Sequence, residues 1–197
     1  MREFIYFSSK ASTTGNFDDS RLKEAGRMDI VCHFVINSFF VSNAIRPEVR
    51  LHLVFYGQPD PPRHIILEIN EKNKEFFSKK DVAGLIKKML YKYKKGQKTE
   101  VFDSCFIERK NFIDVVDELR KEGKEIYLLD NTGTLLRDTN MPQNAVFVLG
   151  DHEGIPKHEK KEIEKISKKI SLGKVMYFAS QSLTILQNEL DLRNRFQ

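Results

Sequence analysis

Apolar and polar positions alternate along the chain in a way that divides it into short strands and amphipathic helices. Glu3 to Ser8 predicts a first strand and Ser9 to Ser20 a polar loop rich in Ser, Thr, Gly and Asp. From Arg27 to Ser42 apolar residues lie nearly all round a helical wheel, which predicts a helix buried over most of its surface. Its polar exceptions, Asp29, His33 and Asn37, are spaced i, i+4, i+8 and share one face. Val49 to Tyr56 predicts a strand stopped by the rigid turn Gly57-Gln58-Pro59-Asp60-Pro61-Pro62-Arg63, and His64 to Ile69 predicts another strand. Asp81 to Lys95 carries Val82, Leu85, Ile86, Met89, Leu90 and Tyr93 at helical spacing. Asn111 to Glu122 predicts an amphipathic helix ending at Gly123, followed by a buried strand from Glu125 to Leu129. A strand to Gly150, a helix around His158 to Ser167, a strand to Gly173 and a final helix complete the pattern. Strand alternating with helix predicts an α/β fold on a largely parallel sheet, and with no repeat or linker in view, one domain over residues 1–197.

Three of the strands end in loops of similar character. Ala145-Val146-Phe147-Val148-Leu149 runs into Gly150-Asp151-His152-Glu153-Gly154-Ile155-Pro156. Leu128-Leu129 runs into Asp130-Asn131-Thr132-Gly133, and Ile170-Ser171-Leu172-Gly173 into Lys174-Val175-Met176-Tyr177-Phe178-Ala179-Ser180-Gln181-Ser182. Ligands in open α/β sheets sit just beyond the carboxyl ends of strands, so three such loops point to one pocket. The spacing is neither GxGxxG nor that of a phosphate-cradling P-loop. The last helix, with Ala179, Leu183, Leu186 and Leu190 on one stripe, reads as core.

Composition narrows the class without naming a reaction. Of 197 residues 40% are hydrophobic and 31% charged, the balance of a globular protein. No apolar run reaches the ~20 residues of a bilayer span, and the amino terminus lacks a signal peptide's apolar core. The expected location is the cytoplasm, with no membrane contact. The only cysteines, Cys32 and Cys105, support neither a disulfide framework nor a cysteine zinc site. His152, Glu153 and His158 are ligand types but lack the spacing of a metal set, so no metal is expected.

Charge adds a partner. The formal net charge is +5, which suits a polyanion. The polar face of the Asp81–Lys95 segment carries Lys87, Lys88, Lys92, Lys94 and Lys95, with Lys80 and Lys98 flanking it. Such a face is either solvated or a phosphate-backbone contact, and both readings stand at this level.

Taken together, LLDNTG, FVLGDHEGIP and ISLGKVMYFASQS resemble the three motifs of the SPOUT class of RNA methyltransferases. Arg27-Met28-Asp29 and Tyr56-Gly57-Gln58-Pro59-Asp60-Pro61-Pro62 sharpen this: nearly the whole chain resembles the archaeal TrmY family, which methylates N1 of pseudouridine in tRNA. It is more distantly similar to the N1-specific pseudouridine methyltransferases of ribosome biogenesis. The resemblance implies a SPOUT-type α/β fold whose C-terminal third, about 125–197, forms a trefoil knot around S-adenosylmethionine. It also implies a homodimer, and a target at position 54 in the T loop of tRNA. Where several relatives carry a cysteine, this chain has Ser182.

Under that reading the cofactor wall falls to Leu128, Leu129, Gly150, Ile155, Leu172, Gly173, Phe178 and Ser182, which offer apolar surface and close backbone approach. The resemblance implies that Arg27 reaches RNA with Asp29 fixing its guanidinium; Arg46 and Lys87, Lys88, Lys92 and Lys95 are further RNA-contact candidates. The acceptor imide must lose its N1 proton. Asp29, Asp60 and His33 are candidate bases, Asp29 and Asp60 the leading catalytic ones, and water is the alternative. Competing readings are the same chemistry on ribosomal RNA, a non-catalytic RNA-binding protein of this fold, and a small-molecule-binding α/β protein.

Overall fold

The computed structural model describes residues 1–42, 44–46, 48–69 and 79–194. Its first strand, Arg2–Ser8 (β1), is central, and its side chains alternate between two cores. Phe4 and Tyr6 enter one, Ile5 and Phe7 the other, and all four are fully buried. Burial on both faces is why an unbroken apolar run forms a strand here.

The elements that follow are a helix Met28–Phe39 (α1) and a two-residue-per-strand hairpin, Phe40–Val41 (β2) with Ala44–Ile45 (β3). Next come strands Val49–Phe55 (β4) and Arg63–Leu67 (β5), helix Lys79–Tyr91 (α2), and strands Thr99–Phe102 (β6) and Cys105–Glu108 (β7). Helix Phe112–Lys121 (α3) leads to strand Glu125–Leu135 (β8), a 3-10 turn at Leu136–Asp138 and strand Ala145–Gly150 (β9). Helix Lys157–Glu164 (α4), strand Lys168–Ser171 (β10) and helix Ala179–Asn194 (α5) complete it.

Eight strands form one sheet in the order β10-β8-β9-β1-β4-β5-β7-β6. The expectation of a largely parallel sheet holds from β10 to β4 and needs correcting beyond it, where β4–β5, β5–β7 and β7–β6 are antiparallel. The physical reason is short connection: the Pro-rich turn after β4 and the Asp103-Ser104 turn between β6 and β7 are too short for a crossover and must reverse the chain. The β6–β7 hairpin is an element that the hydropathy pattern did not reveal. Two predicted helix ends also move inward. The first helix stops at Phe39 rather than Ser42, and α2 stops at Tyr91, so Lys92 and Lys95 lie past its end.

Helices α1, α2 and α5 cover the Phe4 and Tyr6 face; α3 and α4 cover the Ile5 and Phe7 face. α5 is anchored on α1 through Leu183 and Leu186, both fully buried, and through Gln187. The Gln187 amide donates to the carbonyls of Ser38 at 2.7 Å and Asn37 at 3.3 Å, and its oxygen accepts from Arg2 at 3.0 Å. It thereby satisfies carbonyls that the last turn of α1 leaves without helical partners.

β8 pairs with β10 in two registers. Tyr127 and Leu128 face Lys168 and Lys169, but the next residue of β10, Ile170, faces Thr134. Residues 129–133 of β8 are therefore thrown out of the ladder, toward the carboxyl end of β9. The jump requires close backbone contact, since a Cβ on Gly133 would lie 2.5 Å from the Ile170 nitrogen.

Candidate functional site

The three strand-end loops meet. A cavity of about 540 Å³ opens at the carboxyl ends of β8, β9 and β10, lined by residues from 128–131, 149–155, 171–173 and 175–182 together with Lys160. That volume lies within the range of small-molecule sites. All eight cofactor candidates, Leu128, Leu129, Gly150, Ile155, Leu172, Gly173, Phe178 and Ser182, contribute to its wall. Gly150 lies against the turn it opens: a Cβ there would come within 2.9 Å of the Gly154 backbone.

Carboxylates and their partners shape the rim. Asp151 is 8% exposed and accepts hydrogen bonds from Ser8 Oγ at 2.9 Å, Ser9 N at 3.1 Å and Glu153 N at 2.9 Å. It binds the end of β1 to the end of β9. Glu153 is ion-paired with Lys10, which holds its carboxyl below the usual range. Asp130 accepts from Lys160 at 2.6 Å and from the Thr132 amide at 2.9 Å. Burial pushes the Asp130 carboxyl up, and those bonds outweigh it, so the net shift is well down. Ser9, Lys10 and Lys160 escaped sequence reasoning, and Asp130 was read only as part of its strand-end loop. The sequence carried no signal for Ser9 and Lys10, because only the structure shows that β1 neighbours β9, which puts the residues just past β1 at the border of a site just past β9.

Neither catalytic candidate lines this cavity. Asp29 is 7% exposed and is held by Arg27 in a two-point pair, Nε to Oδ1 and Nη2 to Oδ2, each 3.0 Å. Arg27 caps α1 in the left-handed region, φ 64°, a conformation seldom adopted by non-glycine residues. Asp60 is exposed, bonded on one oxygen by Arg63 and on the other by Arg109, and these guanidinia pull its carboxyl down to about 2. A carboxylate so held is a poor proton acceptor near neutral pH. His33 is exposed, while Asn37 donates to the Ser180 carbonyl of α5 at 3.3 Å, so the three residues at four-residue spacing do not form one solvated face.

The basic candidates separate into engaged and exposed groups. Arg46 is turned to Asp191 of α5 at 2.7 Å and shares that carboxylate with Arg2, so its guanidinium is held on the protein's own surface. Lys87 donates to the Phe17 carbonyl at 2.7 Å and to Asp19 at 3.0 Å, bracing the 9–20 loop on α2. Lys88, Lys92 and Lys95 are exposed. Among the described residues no cluster of three His, Cys, Asp or Glu side chains has metal-binding geometry, and no helix is long and apolar enough to cross a membrane.

Comparison with known proteins follows the same length of chain. A family model described as "Putative SAM-dependent RNA methyltransferase" matches residues 1–195. The chain is 35% identical to the tRNA (pseudouridine(54)-N(1))-methyltransferase of Methanococcus aeolicus, over 97% of this chain and 98% of that one. It is 33% identical to the protein of that name from Methanocaldococcus jannaschii, over 97% of each, and 32% identical to the one from Thermococcus kodakarensis, over 97% and 99%. Among solved structures, Archaeoglobus fulgidus Nep1 bound to S-adenosylhomocysteine superposes with a TM-score of 0.64 at 16% identity, over 100% of this chain and 99% of that one, and so shares the fold.

Proposed function

The chain belongs to the family of S-adenosylmethionine-dependent RNA methyltransferases that its residues 1–195 match, and from that membership we propose that it methylates N1 of pseudouridine 54 in tRNA. The observation that carries the reading is identity of 32–35%, end to end, with relatives bearing that activity, in a chain whose three strand-end loops build one cavity.

The residues present fit the cofactor. Leu128, Leu129, Leu149, Ile155 and Leu172 give apolar walls for an adenine ring, and the glycine-cornered turn at 150–154 offers backbone groups rather than side chains. When bound, S-adenosylmethionine supplies the electrophilic methyl group, so no protein nucleophile is needed. The chain's own work is to orient the imide nitrogen and let its proton leave, and orientation can account for a large share of the rate. Asp151 holds the β1 and β9 ends together at the rim. Asp29 acts by presenting Arg27 to RNA, and the departing N1 proton passes to water, because both candidate carboxylates are committed to guanidinia and His33 does not line the cavity.

The same reading gives the C-terminal third, about 125–197, a trefoil knot and makes residues 1–197 one domain working in the cytoplasm. The exposed apolar side chains of Val175, Met176 and Phe178 beside the cavity, with Leu192 on α5, fit burial against a second copy in a homodimer. Lys88, Lys92 and Lys95 carry the phosphates of the T arm.

The test is methyl transfer from labelled S-adenosylmethionine to two T-arm transcripts, one with pseudouridine at position 54 and one with uridine. Label on the pseudouridine transcript alone is expected. Label on neither, with the cofactor bound, would refute the substrate assignment.

A further inference from the structure

The cofactor cavity and the Asp60 turn lie on one edge of the sheet. β4 runs parallel to β1, with Ser8 beside Phe55 at their carboxyl ends. β5 reverses, so its first residue, Arg63, pairs with Phe55; β7 reverses again, so Glu108 near its end pairs with His64; and Thr99 starts β6 beside Ile107. Arg63, Lys98 and Arg109 therefore share the edge that bears Gly150. From β9 to β7 is four strand spacings, roughly 19 Å, a span that a nucleic-acid strand along the edge can cover.

On that edge one carboxylate serves two guanidinia. Asp60 accepts from Arg63 Nη2 at 2.6 Å and from Arg109 Nη1, while Arg63 Nη1 donates to the Pro62 carbonyl and Arg109 Nη2 to the Pro61 carbonyl. Arg63 is 3% exposed and lies over the Tyr93 ring at 3.6 Å. Its charge is enclosed by the turn, whereas 45% of the Arg109 side chain remains in solvent. Two cations against one anion leave a net positive charge, and Arg109 is where it faces outward. Lys98, on the same edge, and Lys94 and Lys95 just before it in the chain are exposed and in no ion pair among the described residues; Lys98 lies 5.2 Å from the Phe106 ring.

The turn is fixed relative to the cofactor cavity. The Asp60 amide donates to Thr13 Oγ1 at 2.9 Å, and Thr13 donates from that oxygen to the Gly57 carbonyl at 3.0 Å and from its amide to the Gln58 carbonyl at 3.1 Å. Thr13 belongs to the loop whose Ser9 and Lys10 reach Asp151 and Glu153. Arg109 is thus coupled through one short loop to the rim of the site.

We propose that Arg109 binds a phosphate of the RNA substrate and that Asp60 is the residue that positions it, an inference that rests on the methyl-transfer reading above. Guanidinium suits this role because its planar donors match phosphate geometry. One phosphate contact contributes about 0.7–0.9 to the slope of log affinity against log salt.

The experiment measures tRNA binding across a salt series and steady-state kinetics for Arg109→Ala, Arg109→Lys and Asp60→Asn, with cofactor affinity and melting temperature as checks on folding. Arg109→Ala should weaken tRNA binding several-fold and lower the slope by close to one contact. Arg109→Lys should keep the slope, because the charge remains. Asp60→Asn should raise KM for tRNA with kcat retained at saturating tRNA. An unaltered slope in Arg109→Ala would overturn the phosphate contact. A fall in kcat with KM intact in Asp60→Asn would overturn the positioning role and return Asp60 to proton transfer. The salt slope needs no methyl transfer, so it stands or falls apart from the activity itself.

Discussion

His52 Nδ1 and His64 Nε2 face each other at 2.9 Å inside the sheet, and the outer nitrogen of each ring meets a carboxylate. Glu3 accepts from His52 Nε2 at 3.0 Å and Glu108 from His64 Nδ1 at 3.0 Å, so a chain of four side chains crosses β1, β4, β5 and β7. Two neutral imidazoles, each donating outward, would leave two lone pairs facing one another. Three hydrogen bonds would need three protons, one more than two neutral rings carry, and burial, which pushes the His64 imidazole down to about 4, opposes taking up that proton. The two carboxylates are balanced by Lys124 on Glu3 at 2.8 Å and Lys110 on Glu108 at 2.9 Å.

Breaking the chain in the middle should therefore cost more than an ordinary hydrogen bond. His64→Leu strips His52 and Glu108 of their partner at once and is expected to destabilise by about 3–5 kcal/mol, the scale for a broken buried ion pair. Urea unfolding measures it. A loss below about 1 kcal/mol would mean that the four groups do not act as one array. The double variant His52→Leu/His64→Leu should cost less than the two single losses added, since the partners are shared.

Acid should dismantle the same array from its ends. Burial pushes the Glu3 and Glu108 carboxyls up, but hydrogen bonds and charge from their histidine and lysine partners outweigh it and hold both at about 2, against 4.5 in an open chain. Between those values the unfolded chain binds more protons than the folded one. The contribution is complete above about pH 4.5 and is lost as pH falls toward 2. Glu108→Gln should flatten the dependence of the urea midpoint on pH in that window. An unchanged profile would assign acid sensitivity elsewhere.

Gly133→Ala tests the register jump that opens the cavity. Its Cβ would meet the backbone of Ile170 at 2.5 Å, which no side-chain rotation relieves. The expected cost is about 1–3 kcal/mol from overpacking, with weaker S-adenosylmethionine binding by calorimetry because residues 128–131 and 171–173 move together. Parent-like affinity would show that the cavity tolerates a shifted β10.

Gln187→Leu tests how firmly α5 is docked. Removing the amide leaves the Ser38 and Asn37 carbonyls and the Arg2 guanidinium short of partners, worth about 1–3 kcal/mol for buried groups. Ser182 and Ala179 at the start of the same helix line the cavity, so cofactor affinity should fall with stability. Lost stability with intact affinity would separate the two ends of the helix.

What the sequence made legible was local. The loops after Leu129, Leu149 and Leu172 announced themselves because an apolar run must end where glycine and polar residues begin, and these residues do line one cavity. The Arg27–Asp29 pair needs only two residues of separation. The surroundings of Asp60 were not legible, because one of its two guanidinium partners, Arg109, lies 49 residues away, and a lone carboxylate between prolines looks available until that guanidinium is in place. His52 and His64 read as ordinary strand residues for the same reason, since their partners arrive from β1 and β7. The hairpin at 99–108 was hidden by its brevity: two strands of four residues carry too few alternations to stand out.

The docking of α5 has a consequence for how the protein is made. Asn37 with Ser180, Ser38 with Gln187, and Arg2 with Asp191 join residues 143 to 189 positions apart in the chain, and the cavity borrows its last wall from the loop and first turn of that helix. During synthesis the sheet from β1 to β7 can assemble on the ribosome, but the site has no complete wall until the carboxyl-terminal segment has left the exit tunnel and travelled back to the first strand. Contacts of that range form slowly. A chain released a few tens of residues early would keep most of its core and leave the cavity at the ends of β8 and β9 without its last wall.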